Sequence, residues 1–138
     1  MEVLFRITGV AKTDTEDVTE TLTRGTLERV GDALLLYYVG ADEETPELVT
    51  EHHITVTENR VEVIRTGAIQ TTMIIETGEL HRCEYATPFG LLLLDFRGER
   101  VNVGETESGV RVETAYEICI ENVVVSTNSL TIEATPVE

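Results

Sequence analysis

The residues best suited to chemistry lie just before a proline–glycine turn, in the run "ELHRCEYATPFG". His81, Cys83 and Tyr85 occupy alternate positions, so on a strand they share one face and the imidazole and thiol come within reach of each other. A Cys–His pair is the core of a nucleophilic site, which would make the protein a hydrolase-like or isomerase-like enzyme. Such a thiol also needs an electropositive setting, and Arg82 points to the other face. The alternative is that Cys83 is a small buried side chain and His81 a hydrogen-bonded wall residue.

A second group of candidates consists of polar side chains on apolar strand faces. In "VEVIRTG", Arg65 has the parity of Val61 and Val63. An inward arginine must be paired, because an isolated buried charge is costly. Its partner is expected to be a ligand carboxylate, an internal glutamate or backbone carbonyls at the barrel rim. In "LVTEHHITVT", His52 shares the face of the aliphatic residues, where a histidine is either a satisfied core residue or a ligand contact.

These observations define a candidate ligand-binding set, which is Arg65, His52, His81 and Tyr85. Aliphatic walls with a few inward polar groups are the usual lining of small-molecule pockets. No phosphate loop, GxSxG, HExxH or CxxC motif is present. His52 and His53 are adjacent and point to opposite faces of a strand, so they cannot share one ion. The sequence therefore predicts no cofactor and no metal site.

The elements that must position these residues are β-strands. "GVRVETAYEICIE" alternates, with apolar or neutral side chains on one face and mostly charged ones on the other, which is typical of half-buried strands. Turn residues recur at short intervals, at Gly31-Asp32, Glu58-Asn59, Thr66-Gly67, Thr77-Gly78, Gly98, Ser108-Gly109 and Glu121-Asn122. Thr87-Pro88-Phe89-Gly90 matches a type I turn. No strand–helix alternation appears, which argues against a parallel α/β sheet.

About nine to eleven short strands in one small chain predict an antiparallel sheet that closes on itself, because closure removes the sheet's edges. A barrel of roughly 8–10 strands is the first expectation and a β-sandwich the second. The segment 13–30 is ambiguous between helix and strand, and we expect a long strand interrupted near Gly25. A barrel of this size either holds a small ligand or fills itself with side chains.

Two stretches, "ALLLYYV" and "GLLLLDF", are apolar on both faces. Leu91 and Leu93 share the face opposite Leu92 and Leu94. On a barrel wall the outer residues would be wet, so either the chain's own termini or a second subunit is expected to cover them. This favours a homodimer, or another protein partner, as an alternative function.

Composition limits the remaining classes. The 138 residues suit a single domain, 1–138, and carry a net charge of −16. Nucleic acid and anionic membranes are therefore poor partners, since binding to them begins with neutralising phosphates. No signal peptide and no membrane-spanning apolar run appear. We expect a cytoplasmic protein, with Cys83 and Cys119 as free thiols.

The run "RTGAIQTTMIIETGELHRCEYATPFG" resembles the core of the uncharacterised bacterial YwiB-like proteins. The shared features are Arg65 with Gly67, then Met73, then Tyr85 and the Thr87–Gly90 turn; "VNVGETESGVRVETAYEI" also fits. The resemblance implies a calycin-like barrel, the architecture of lipocalins and fatty-acid-binding proteins. It implies no activity, and this chain has no tryptophan, unlike the lipocalins. Fold alone does not give function.

Three hypotheses follow. The leading one is non-enzymatic binding of a small, partly apolar molecule in the barrel. The second is a filled barrel that acts as a homodimer or protein-interaction module. The third is the enzyme using His81, Cys83 or Tyr85.

Overall fold

The fold is built entirely from strands. The computed structural model describes residues 1–41, 46–68, 70–87 and 90–137, which form ten β-strands and no helix. The strands are β1 (Glu2–Lys12), β2 (Glu16–Val30), β3 (Ala33–Ala41), β4 (Val49–Val56), β5 (Arg60–Gly67), β6 (Thr71–Glu76), β7 (Leu80–Thr87), β8 (Gly90–Thr106), β9 (Gly109–Ile120) and β10 (Val123–Pro136). No helix able to cross a membrane is found in these ranges. The predicted all-β class is confirmed.

The ten strands of the described residues form one antiparallel sheet that closes into a barrel. Each strand pairs with its neighbour in sequence, and β1 pairs with β10 from Val3 opposite Pro136 to Lys12 opposite Thr127. Closure of the ring protects the edges that an open sheet would expose. The calycin-like barrel is therefore confirmed in preference to the sandwich.

Two tight hairpins have the turn chemistry that the sequence predicted. Gly31, between β2 and β3, has a φ of 59°. Glu121 and Asn122, between β9 and β10, have φ values of 52° and 67°. Two successive positive φ angles give a type I′ turn, whose twist matches that of the flanking strands. The turn predicted around Pro88 lies outside the described residues.

Two predicted strand breaks are wrong. β2 runs without interruption through Gly25, where an added Cβ would overlap the Tyr37 carbonyl oxygen and lie 2.5 Å from Phe5 Cε2. β8 likewise continues through Gly98, which lies at a register shift and against the Glu76 backbone. Both glycines are needed because another part of the chain passes too close for a side chain, and neither ends a strand.

The middle of the barrel is filled by its own side chains. Phe5, Leu36, Ile75 and Ile132 are among the large residues with less than 2% exposure, and they belong to one continuous apolar core. Interiors of this kind are close-packed, with few voids larger than a water molecule. The pockets that bear on function therefore lie toward the barrel's ends and on its outer wall.

The wall is weakest between β6 and β7, a boundary that we call the seam. Among the described residues only Thr71 and Tyr85 are register partners across it. Side chains supply part of the connection instead. The Thr71 hydroxyl donates to the Glu84 carbonyl oxygen at 3.1 Å, and His81 Nε2 lies 2.8 Å from Glu76 Oε1.

Candidate functional site

A belt of polar side chains crosses the inner wall near one end of the barrel. Strands β3 to β7 contribute one residue each, and each is the register partner of the next: Tyr38, His52, Arg65, Thr71 and Tyr85. They have the parity of the buried aliphatic residues on the same strands. Three of the four predicted ligand-binding residues, His52, Arg65 and Tyr85, therefore lie in one row.

His81 does not belong to this belt. It pairs with Phe96, four residues along β7 from Tyr85, which corresponds to about 13 Å of strand. Its Nε2 is already engaged by the Glu76 carboxylate at 2.8 Å. His81 thus acts as a contact across the seam, at a distance from the other predicted ligand-binding residues.

Cys83 lacks the surroundings of a reactive thiol. It is buried, and its Sγ lies 4.0 Å from the backbone carbonyl oxygen of His81. Burial raises the pKa of this thiol, and the nearby Asp95 carboxylate raises it further, while a backbone hydrogen bond from Ile74 opposes them. Catalytic cysteines show the opposite shift, because the thiolate is the nucleophile. The geometry therefore disfavours a Cys83–His81 nucleophilic pair.

Arg65 is an inward cation that nothing in the described part of the chain neutralises. Its Nε is buried and has no hydrogen-bond partner there, and no carboxylate in that part lies within 4.0 Å of its guanidinium. Of the eight other arginines, seven pair with a carboxylate, and Arg100 is exposed on the outer wall. Among the described residues, neither an internal glutamate nor a backbone carbonyl at the barrel rim is the partner of Arg65 that the sequence allowed for.

His52 lies beside Arg65 and is uncharged at neutral pH. Burial, then the Arg65 guanidinium and the His53 ring, lower the pKa of His52 to about 4. Its ring stacks on Tyr38 with 4.2 Å between centroids and 7° between planes. Its buried Nδ1 has no partner among the described residues. Two unpartnered nitrogens on register-paired residues are unusual, since most buried polar atoms are hydrogen-bonded.

Two tyrosines complete the surroundings of Arg65. Burial raises the pKa of Tyr38 and of Tyr116, and in both cases the charge of Arg65 opposes that rise. The charge of Arg65 therefore acts on one phenol on β3 and on one on β9, and both phenols stay protonated at neutral pH. Sequence reasoning placed Tyr116 on the inward face without proposing it as a site residue. Tyr38 was missed because both faces of "ALLLYYV" are apolar.

These residues open to solvent through a pocket that we call the Arg65 mouth. It has a volume of about 310 Å³ and is lined by Thr21, Tyr38, Gly40, Ala41, Leu48, Thr50, His52, Arg65 and Ala68. No cluster of three or more metal-ligating side chains occurs in the described ranges. The mouth can offer hydrogen-bond donors, one positive charge and two stacked rings.

Comparison with known proteins places this architecture in a family. Residues 6–132 match the family model described as "Domain of unknown function (DUF1934)". The chain belongs to this family. It is also similar to the ywiB protein from Bacillus subtilis, known from a crystal structure, with 20% identity, a TM-score of 0.85 and coverage of 99% of this chain and 92% of that one. The YwiB-like resemblance is confirmed.

The comparisons give a fold and a family without an activity. At 20% identity the likeness to the ywiB protein shows a shared barrel and nothing about ligands. No curated protein matches the chain. Any function must therefore be argued from the side chains of the site.

Proposed function

We propose that the protein binds a small, partly apolar organic anion at the Arg65 mouth. The observation that carries the proposal is the interior guanidinium of Arg65, whose buried Nε has no partner in the described chain. Leaving a buried donor unsatisfied costs about 1–3 kcal/mol. An anionic ligand removes that cost and gains a charge-assisted hydrogen bond.

A carboxylate is the anion that best fits these donors. Arginine's fork of N–H groups matches the two oxygens of a carboxylate. His52 is neutral, and in the tautomer with hydrogen on Nδ1 it donates to the same group. The phenol of Tyr38, which also lines the mouth, adds a further donor.

The molecule's overall charge favours a single negative charge on the ligand. At −16, the chain repels anions at long range. Salt reduces that repulsion beyond about 8 Å, the Debye length at physiological ionic strength. Arg65 offsets one negative charge of the ligand locally. A second negative charge would be repelled, because the described residues offer no second unpaired inward cation. A monoanion is therefore expected to bind better than a polyanion.

The filled core restricts where the ligand lies. Side chains such as Phe5, Leu36 and Ile75 occupy the middle of the barrel. The ligand therefore stays in the mouth of about 310 Å³, where Leu48, Ala41 and the Tyr38–His52 stack provide apolar contact. This is a narrower site than the barrel-centre pocket that the sequence suggested.

The test is a calorimetric titration with benzoate, and with neutral benzyl alcohol for comparison. We expect benzoate to bind to the wild type and Arg65→Met to weaken it by about 10- to 100-fold, the value of a charge-assisted hydrogen bond. Arg100→Met is the matched control, because it removes an exposed arginine of the outer wall that makes no salt bridge with a described residue. Equal loss in both variants, or equal binding of benzyl alcohol, would show that Arg65 does not recognise an anion.

Self-association is a second candidate function, supported by an uncovered apolar surface. We call it the leucine–valine patch, and it consists of side chains from both faces of the adjoining ends of β8, β9 and β10, 42–62% exposed: Leu91, Leu92, Leu93, Ile120, Val123, Val124 and Val125. The described termini lie elsewhere, beside Leu27 and Glu2, so they do not cover it. A contiguous apolar surface of this kind is typical of a protein–protein interaction site.

The patch suits a second copy of this chain because its seven side chains carry no charge. Two copies at −16 each repel one another at long range, and an uncharged contact surface avoids adding close pairs of like charges to that repulsion. In light scattering we expect wild-type dimers and a monomeric Val124→Asp variant. Val39→Asp, an exposed valine on β3, is the control and should remain dimeric. A monomeric wild type up to high concentration would end this candidate.

A further inference from the structure

The Arg65 mouth shares one lining residue with a second pocket, on the outer wall of the barrel. That pocket is a groove of about 580 Å³ that follows the seam between β6 and β7. Among the described residues, Arg65 alone lines both the mouth and this groove. The Arg65 side chain is therefore accessible from both pockets.

The groove exists because the seam is not closed by a backbone ladder. Within the described residues, β6 and β7 share only the register pair Thr71 and Tyr85, whereas β7 and β8 are paired from Leu80 to Thr87. The Thr71 hydroxyl spans the gap to the Glu84 carbonyl oxygen. The wall beside Arg65 is thus open enough for inward-facing Thr71 and Cys83 to line an outer groove.

The groove offers an apolar strip within a mixed lining. Ile64, Ile74, Ala86 and Leu91 provide the aliphatic contact, and the other lining residues include Thr72, Gln70 and the Glu84 carboxylate. Arg82, the other cation among the described lining residues, is tied to Asp95 by two hydrogen bonds of 2.9 and 3.3 Å. Arg65 is therefore the described lining cation left for an anionic head, while Glu84 disfavours a second negative charge in the groove.

We propose that the natural ligand is an elongated amphipathic monoanion. Its anionic head binds to Arg65 in the mouth, and its flexible apolar chain leaves through the seam and lies along the groove past Ile64. This rests on the proposed function and adds to it the shape of the ligand. A compact anion would use the mouth alone, whereas a chain of several carbons gains contact in both spaces.

The test is a series of straight-chain carboxylates, from acetate to decanoate, titrated into the full protein below their micelle-forming concentrations. We expect the dissociation constant to fall about two- to threefold for each added CH₂ that enters the groove, less than full burial would give because the groove is partly open. Ile64→Asp should bring the ratio of octanoate affinity to acetate affinity close to one, and this ratio is the readout because the new carboxylate beside Arg65 lowers the affinity for every anion in the series. Val39→Asp, which adds the same charge at an exposed position of β3, should keep the dependence on chain length.

The outcomes separate this inference from the proposed function. Arg65-dependent binding of benzoate with equal affinities across the chain series would refute the groove and leave the anion site intact. Chain-length dependence that persists in Ile64→Asp, or in Arg65→Met, would place the chain elsewhere and also refute it. Loss of chain-length dependence in Ile64→Asp alone supports it.

Discussion

At the scale of single residues, the molecule sets a neutral histidine beside an unpaired arginine. His52 is kept uncharged first by burial and then by Arg65, so the pair carries one positive charge at neutral pH. An anion bound at Arg65 would also favour protonation of His52, because an opposite charge nearby stabilises the charged form. Ligand affinity and proton uptake are thereby linked at this site.

The lowered pKa of His52 predicts a loss of stability in acid. Its folded value of about 4 lies below its ordinary 6.5, so the unfolded chain binds the proton more readily. The stabilising contribution is complete above pH 6.5 and is lost as the pH falls toward 4. Between pH 7 and pH 5, we expect the wild type's free energy of unfolding to fall by about 1 kcal/mol more than that of His52→Gln, a value discounted because the side chain is only partly buried.

Urea unfolding at the two pH values measures that difference. His53→Gln is the control, since this neighbouring ring points outward and is half exposed. It is the last of the three causes that lower the His52 pKa, so this variant should keep most of the wild type's loss of stability in acid. If His52→Gln also follows the wild type, the imidazole is not held neutral by its surroundings.

The sequence predicted on which strand face most site residues lie, but it did not predict which side chains contact them. Alternation placed Arg65 and His52 inward because strand parity is a local property. It could not show that no carboxylate approaches Arg65, because that depends on strands far away in sequence. His81 was grouped with Tyr85 by parity alone, yet four residues of strand separate them and Glu76 engages the imidazole.

At the scale of the elements, the strands were predictable and two glycines were not. Gly25 and Gly98 were taken as breaks because glycine weakens strands and marks turns. Each is instead required by a close approach from another strand, which no local pattern reveals. The seam could not be predicted either, because β6 and β7 have ordinary strand sequences. They differ from the other neighbouring strands only in how few register pairs join them.

The close approach at Gly25 predicts a large effect of a single methyl group. In Gly25→Ala the new Cβ overlaps the Tyr37 carbonyl and presses on Phe5. We expect the free energy of unfolding to fall by about 3 kcal/mol, as for other overpacked sites. Gly104→Ala is the matched strand control, because nothing lies within 4 Å of the added methyl group, and it should be neutral or slightly stabilising. Equal losses in the two variants, measured by thermal unfolding, would contradict this account.

At the scale of the whole molecule, one inward charge stands out against a strongly acidic background. Twenty-six acidic residues face ten basic ones, and seven arginines are already paired with carboxylates. This arrangement leaves Arg65 available in an environment that repels polyanions. The same acidity makes the uncharged leucine–valine patch the natural place for two copies to meet.

The most direct measurement is a two-dimensional ¹H–¹⁵N spectrum of the arginine Nε–H groups during titration with benzoate, repeated with octanoate. The account predicts that one of the nine resonances moves and saturates, and that this resonance disappears in Arg65→Met and persists in Arg100→Met. An Arg65 resonance that stays in place with both anions, or shifts across all nine arginines alike, would contradict the central claim that this side chain is an anion-binding group.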